Sequence, residues 1–272
     1  MPELPEVETV CRGLFKKINN LKVLDVQLIN KKLRYNIEPK KIRKIINKKV
    51  KGVIRRGKNG IILFSNNLAL NFHLGMTGKF IISEREIVLK KHDHLVIEFN
   101  KKISLVYNDV RKFGYLKIEE TPLDIINYKN LGVEPLIINF FIQELFDTIK
   151  KKNANIKSIL LNQSYICGIG NIYACEILFK AKISPYKKGY KLKKKEFISL
   201  MFAIQDILSL AIIKGGSSIK DYIKTDSELG YFQTEFKVYD REGKPCYDCN
   251  RLIERKKQNG RSTFYCKGCQ NF

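Results

Sequence analysis

The sequence predicts an α+β chain of more than one domain: β-rich first, α-rich second, and closed by a small cysteine module. Three observations carry this reading. Behind an opening helix, short apolar runs of strand length fill the chain to about residue 118. Past a linker containing Pro and Gly, "TPLDIINYKNLGVEPL", the apolar spacing becomes helical. Four of the seven cysteines then fall within the last 27 residues.

The opening helix spans "PEVETVCRGLFKKI", residues 5–18, with Val7, Val10, Cys11, Leu14, Phe15 and Ile18 at helical spacing. Pro5 suits a first helical position. Glu6 and Glu8 suit the positive end of the helix dipole, and Lys16 and Lys17 the negative end. The runs "VLDVQLI", "GIILF", "LALNF", "KFII", "LVIEF", "ISLVY" and "YLKI" read as strands punctuated by "KNG" and "SNN". Together they predict a helix packed on an antiparallel sandwich or barrel. In the second half, "FIQELFDTIKKKN", "NIKSILL" and "NIYACEILFKA" read as helices, the last two separated by the Gly-rich double turn in "NQSYICGIG". A longer amphipathic helix runs from Lys193 to Ile213, with Phe197, Leu200, Met201, Ile204, Leu208 and Ala211 on one face.

Composition narrows the function classes. Hydrophobic residues make up 44% of the chain, enough for an ordinary core. No run of eighteen uninterrupted apolar residues occurs, and the start lacks the basic flank and apolar stretch of a signal peptide, so the cytoplasm is the expected compartment. Fifty-one Lys and Arg against 27 Asp and Glu give a net charge of +24. Abundant Lys, Ile and Asn are what an AT-rich genome produces, but this excess far exceeds the roughly 2–8 charges that solubility needs in a small domain. Nucleic acid is therefore the expected partner.

"CYDC" at 246–249 and "CKGC" at 266–269 form two C-x2-C knuckles, so Cys246, Cys249, Cys266 and Cys269 are the expected ligands of a tetrahedral zinc ion. Four thiolates leave no open position for water, which makes the ion structural. A redox dithiol pair is the alternative. Between the knuckles, Asn259-Gly260 predicts a two-residue hairpin turn that places Arg261 at its tip, in reach of a phosphate or a groove. In the double turn, Gly168 and Gly170 precede a helix starting near Asn171, an arrangement suited to phosphate as well as to plain packing. Arg111 and Phe113 lie two apart in "NDVRKFGYL", on one side of an expected extended segment, where a cation and an aromatic can occupy a vacated base stack. Met76 in "HLGMTG" is a flexible apolar probe between glycines, and core packing is its ordinary role. His73, His92 and His94 are more commonly structural.

Eight stretches, in order from residue 1 to 270, carry a resemblance: "MPELPEVET", "RRGKNG", "HLGMTG", "NDVRKFG", "GIGNIYACE", "KGGSSIKDY", "GYFQTEFKVY" and "GRSTFYCKGCQ". Together they resemble the formamidopyrimidine-DNA glycosylases, bacterial base-excision repair enzymes for oxidised purines. The resemblance implies an N-terminal antiparallel β-sandwich with flanking helices over 1–130. It further implies a helical domain with a helix–two-turns–helix motif over 131–238, and a β-hairpin zinc finger over 239–272 with one structural Zn2+.

It also implies roles. Removal of Met1 would expose Pro2 as a secondary-amine nucleophile. An α-amine has a pKa of about 8 against about 10.4 for lysine, and the helix dipole lowers it further. Condensation at C1′ gives an iminium from which base loss and β,δ-elimination follow. Glu3 is then the general acid/base at the sugar, Glu6 orders the site, and Lys58 is a catalytic, phosphate-contacting lysine. His73, Asn171 and Arg261 grip phosphates around the flipped nucleotide. Met76, Arg111 and Phe113 fill the gap, with Arg111 facing the orphaned cytosine. Residues 214–222, including Lys220 and Tyr222, correspond to a loop closing over the lesion.

The chain departs from the usual pattern at Asn162, Cys167, Asp240 and the Lys267-Gly268 pair, none of which touches this chemistry. The expected partner is damaged double-stranded DNA, met as a monomer in the bacterial cytoplasm and at the nucleoid, without membrane association. An endonuclease VIII-like enzyme for oxidised pyrimidines is the nearest alternative, but Leu4, the Arg111–Phe113 pair and "GGSS" favour the purine enzyme. A non-catalytic zinc-dependent DNA-binding protein would leave the Pro-Glu terminus without a role.

Overall fold

A computed structural model describes residues 2–85, 87–120, 130–217 and 232–270. The chain divides into two compact units, Met1–Lys129 with Ser217–Gly230, and Asn130–Gly216 with Tyr231–Phe272.

The first unit opens with α1 (Leu4–Ile18), and then β1 (Val23–Leu28), a short α2 (Pro39–Ile42), β2 (Val50–Arg56) and β3 (Asn59–Phe64) follow. Next come β4 (Ala69–His73), β5 (Lys79–Ser83), β6 (Asp93–Phe99), β7 (Ser104–Asn108) and β8 (Tyr115–Glu119). Two four-stranded antiparallel sheets result, ordered β1-β6-β7-β5 and β2-β3-β4-β8. One apolar core joins them, with Val23, Leu95, Ile97 and Tyr107 from the first sheet and Ile62, Leu70, Phe72 and Leu116 from the second. A sandwich follows from that two-faced burial. Helix α1 contributes Val7, Val10, Cys11, Leu14 and Ile18 to the same core, as its spacing predicts, whereas Phe15, expected on that face, is exposed.

Strand β2 is absent from the expected strands. Its sequence, "VKGVIRR", mixes cations and a glycine, because β2 lies at an edge of its sheet, where charge blocks further strand addition.

The second unit holds α3 (Ile142–Lys150), α4 (Ile156–Leu161), α5 (Asn171–Lys180) and α6 (Lys194–Ile213), and then the hairpin β9 (Glu254–Gln258) and β10 (Arg261–Tyr265). Helix α6 has the length and mean hydropathy, 1.8, of a membrane span. One of its faces, with Phe197, Leu200, Met201, Ile204 and Leu208, is fully buried, while Phe202 and Ile213 are exposed. The hairpin turn is the one Asn-Gly predicts: Gln258 pairs with Arg261, and Asn259 and Gly260 take φ of 49° and 76°. By contact, the cysteine module packs with the helices of this unit: Cys246, Ile253, Phe264 and Cys266 share a core with Cys175 and Phe179 of α5.

Candidate nucleic-acid site and metal centre

Sheet register builds one rim of the first unit. Arg56 pairs with Asn59, Asn59 with His73, and His73 with Tyr115, a row across β2, β3, β4 and β8. Three connections leave from that end: the Gly57-Lys58 turn, the turn after His73 that carries Met76, and the loop before Tyr115 that carries Arg111 and Phe113. Residues far apart in sequence therefore meet because antiparallel pairing alternates strand ends.

The N-terminus joins this rim through α1. Glu8 of α1 pairs with Arg55 at 2.8 Å, and Arg55 also donates to the carbonyl of Gly57 at 3.1 Å. The start of the helix is thereby fixed beside the turn that carries Lys58. Pro2, Glu3 and Glu6 are all buried. Glu6 has both carboxylate oxygens engaged. Oε2 accepts from the Glu3 N–H at 2.9 Å, and Oε1 accepts from both the N–H and the hydroxyl of Ser217 at 2.8 Å each. Such an anchored carboxylate suits positioning rather than proton transfer.

His73 is a neutral donor by its surroundings. Its Nδ1 accepts from the Gly75 N–H at 2.9 Å, which leaves the proton on Nε2. Burial, followed by the charges of Lys58 and Arg34, lowers its pKa to about 4. Its ring stacks on Tyr115 at 5.6 Å, Tyr115 contacts Tyr35 at 5.6 Å, and the Arg34 guanidinium lies 5.6 Å from the Tyr35 ring. Sequence reasoning missed Arg34, Tyr35 and Tyr115. Only the register, which sets Tyr115 opposite His73, could have signalled one of them.

The Met76 and Arg111–Phe113 loops are bound to each other. Asp109 Oδ1 accepts from the Thr77 hydroxyl at 2.5 Å and from the Arg111 N–H at 3.2 Å, while Oδ2 accepts from the Gly114 N–H at 2.9 Å. Arg111 also donates its N–H to the Thr77 hydroxyl at 3.0 Å. The expected extended segment is instead a turn, because Lys112 adopts φ 57°. Arg111 and Phe113 still share a side: the guanidinium stacks 4.5 Å from the Phe113 ring centre. Phe113 is 47% exposed and Met76 36%.

In the second unit, Asn171 begins α5 and its amide donates to the Ser262 carbonyl at 3.0 Å, next to Arg261. The buried Lys157 of α4 donates to the same carbonyl at 2.9 Å and to the Thr263 hydroxyl at 2.8 Å. These two side chains fix the start of β10, just behind the turn, while Arg261 stays exposed at the tip. Sequence reasoning missed Lys157, whose place in "NIKSILL" carries no signal for burial. The Gly168 N–H is not available to a phosphate as the double turn suggested. It donates to Gln163 Oε1 at 2.9 Å, which closes the turn internally. Glu176, also missed, takes three backbone N–H groups of residues 237–239 at 2.7–3.0 Å and ties α5 to the cysteine module. Burial raises its pKa, while the three N–H donors oppose the rise.

The sulfurs of Cys246, Cys249, Cys266 and Cys269 all lie within 4.8 Å of one another. The Cys249–Cys266 and Cys246–Cys269 separations are 3.3 and 3.8 Å. A tetrahedral ion with Zn–S bonds of about 2.3 Å requires sulfurs about 3.8 Å apart, so the cluster is compatible with zinc. Lys220 and Tyr222 lie outside the described residues.

Comparison with known proteins agrees over the whole chain. Residues 1–116 match the formamidopyrimidine-DNA glycosylase N-terminal domain, and residues 131–223 match the formamidopyrimidine-DNA glycosylase H2TH domain. The formamidopyrimidine-DNA glycosylase of Wolbachia sp. subsp. Brugia malayi (strain TRS) is 42% identical over 271 residues, covering 100% of both chains. The enzyme of the same description from Rickettsia canadensis (strain McKiel) is 39% identical over 271 residues, covering 99% of each. Among solved structures, Lactococcus lactis Fpg in complex with DNA containing an abasic site matches with a TM-score of 0.90 at 34% identity, covering 99% of this chain and 100% of that one. A variant of the same L. lactis protein, in complex with DNA containing Fapy-dG, matches with a TM-score of 0.92 at 35% identity, with full coverage of both.

Proposed function

Because this chain belongs to the formamidopyrimidine-DNA glycosylase family and is a DNA glycosylase with abasic-site lyase activity, we propose that its substrates are oxidised purines, 8-oxoguanine and formamidopyrimidines, in duplex DNA. The observation that carries the chemistry is the helix start, where Pro2 and Glu3 are buried beside an anchored Glu6, while Leu4, the Arg111–Phe113 pair and "GGSS" favour purines over pyrimidines. Ordinary termini fray, and this one is held. Once Met1 is removed, Pro2 offers a secondary amine whose lone pair attacks C1′ of the damaged nucleotide. The C1′–N bond to the base breaks and the attacking nitrogen loses its proton; Glu3 then protonates O4′ as the C1′–O4′ bond opens, which leaves C1′ double-bonded to the Pro2 nitrogen. The resulting iminium acidifies C2′, so the 3′ phosphate and then the 5′ phosphate leave by successive elimination.

The other assignments fit the same reaction. Lys58 on its turn and the neutral His73 Nε2–H are donors suited to backbone phosphates. Asn171 and Arg261 serve that purpose on the second unit. Exposed Met76, Arg111 and Phe113 supply the wedge that replaces an extruded nucleotide, offsetting a few kcal/mol of unstacking. Lys220 and Tyr222 belong to the loop assigned to the lesion itself. Cys246, Cys249, Cys266 and Cys269 would hold one Zn2+, which supplies no reactive position and stabilises the hairpin bearing Arg261. The enzyme acts as a monomer on damaged DNA in the bacterial cytoplasm.

Borohydride trapping on 8-oxoguanine DNA tests the proposal. The expected result is a covalent adduct at residue 2, lost in Pro2→Gly, with excision suppressed in Glu3→Gln. Tight binding without any adduct would overturn the nucleophile assignment. Preferential trapping on oxidised pyrimidines would favour the endonuclease VIII-like alternative.

A further inference from the structure

Two segments of the second unit, residues 150–153 and 187–195, are laced together away from any acidic residue of their own. Lys150 Nζ donates to the Tyr190 carbonyl at 2.6 Å, the Tyr190 N–H donates to Lys152 O at 3.0 Å, and the Gly189 N–H donates to Ala154 O at 3.0 Å. Nine of these thirteen residues are lysine and none is acidic, against 51 Lys and Arg in all 272 residues. The enrichment is local, beyond any general bias toward lysine.

The neighbours of these lysines leave the charge in place. Lys150 meets a carbonyl, Lys194 meets the side-chain oxygen of Gln143 at 3.2 Å, and Lys191 lies 5.9 Å from the Tyr190 ring centre. Among the described residues of the two segments, the ion pair present joins Lys187 to Glu196 at 2.5 Å. Asp147, one turn ahead of Lys150 on α3, is engaged by the Gln143 amide at 3.0 Å. Some lysines elsewhere are matched with carboxylates, as in Lys44–Glu120, Lys180–Asp206 and Lys214–Glu235. An unmatched block of like charge costs stability through self-repulsion unless a polyanion covers it.

We propose that this lysine ridge is an additional, sequence-independent contact surface for the phosphate backbone of duplex DNA, using none of the residues of the candidate site. The inference rests on the DNA-acting reading above. Duplex DNA carries about one negative charge per 1.7 Å of axis, and ammonium groups on flexible stems track such an array without reading bases. Lysine alone, with no arginine forks, points to charge neutralisation rather than bidentate recognition. Tyr190, 47% exposed in the middle of the ridge, offers a ring surface against the sugars.

The test is the salt dependence of binding to an undamaged duplex. Lys151, Lys188, Lys191 and Lys195 are changed together to Gln in one variant and to Arg in another, with unchanged thermal unfolding required of both. The Gln variant should show a log K against log [salt] slope shallower by about 2 to 4, since each released phosphate contact is worth about 0.9. The Arg variant should keep the wild-type slope. An unchanged slope in the Gln variant overturns the proposal, as does a slope change found with RNA or anionic vesicles and not with duplex DNA. Excision of 8-oxoguanine by the unaltered protein scores the glycosylase reading separately, so failure of one is distinguishable from failure of the other.

Discussion

His73→Gln should flatten the acid limb of the protein's stability. In the folded protein the imidazole is held neutral, with a pKa of about 4, by burial and by the neighbouring cations Lys58 and Arg34. In the unfolded chain it titrates at about 6.5. Between those values the unfolded state binds the additional proton, so stability is complete above pH of about 6.5 and falls as pH drops toward 4. A separation of about 2.5 units corresponds to about 3 kcal/mol, an upper bound because the ring retains some solvent contact. Urea unfolding at pH 7, 6, 5 and 4.5 measures it: wild type should lose up to about 2.4 kcal/mol more than His73→Gln across that range. Imidazole proton shifts give an independent readout, with no His73 transition near pH 6.5 in the DNA-free protein. Parallel stability curves, or a His73 midpoint near 6.5, would refute both the neutral-donor assignment and the tautomer fixed by Gly75.

Other substitutions probe the supports of the site. Glu8→Gln removes the carboxylate charge facing the nearly buried Arg55 and should cost about 2 kcal/mol in urea unfolding, while lowering kcat through the Lys58 turn. Gly114→Ala places a Cβ 1.9 Å from the Tyr107 hydroxyl and 2.6 Å from His73 O, so a loss of about 1–3 kcal/mol is expected by the same measurement. Gly260→Ala meets no atom within 4 Å but must hold φ 76°, so its cost should be about 1 kcal/mol and confined to the hairpin. Chelation of the ion expected at the four cysteines should abolish amide protection in β9 and β10 and lower DNA affinity, as read by hydrogen exchange and titration.

What the sequence made legible follows the reach of each signal. Helix α1, the Asn-Gly hairpin and the paired cysteine knuckles are written in adjacent residues, so local spacing suffices. Strand β2 was hidden because an edge strand tolerates the charges and glycine that argue against a strand elsewhere. Lys157 and Glu176 were invisible for a different reason. Each is a charged side chain buried against backbone groups about 60 to 105 residues away in the chain, and nothing near it in sequence encodes the partner. Arg111 and Phe113 were identified by an extended-strand argument, yet a left-handed Lys112 and direct stacking bring them together.

The row Arg56–Asn59–His73–Tyr115 makes the two ends of the second sheet unequal as places to attach a reporter. A label at the Lys58 or Met76 turn would sit on the loops that leave from the His73 end of the sheet. The β3–β4 turn lies at the far end, where Asn66 and Asn67 are exposed and already adopt left-handed φ of 63° and 55°. A fluorophore, epitope or surface tether belongs there. Single-molecule tracking of the protein along DNA can then use that position without disturbing the rim where Lys58 and His73 converge.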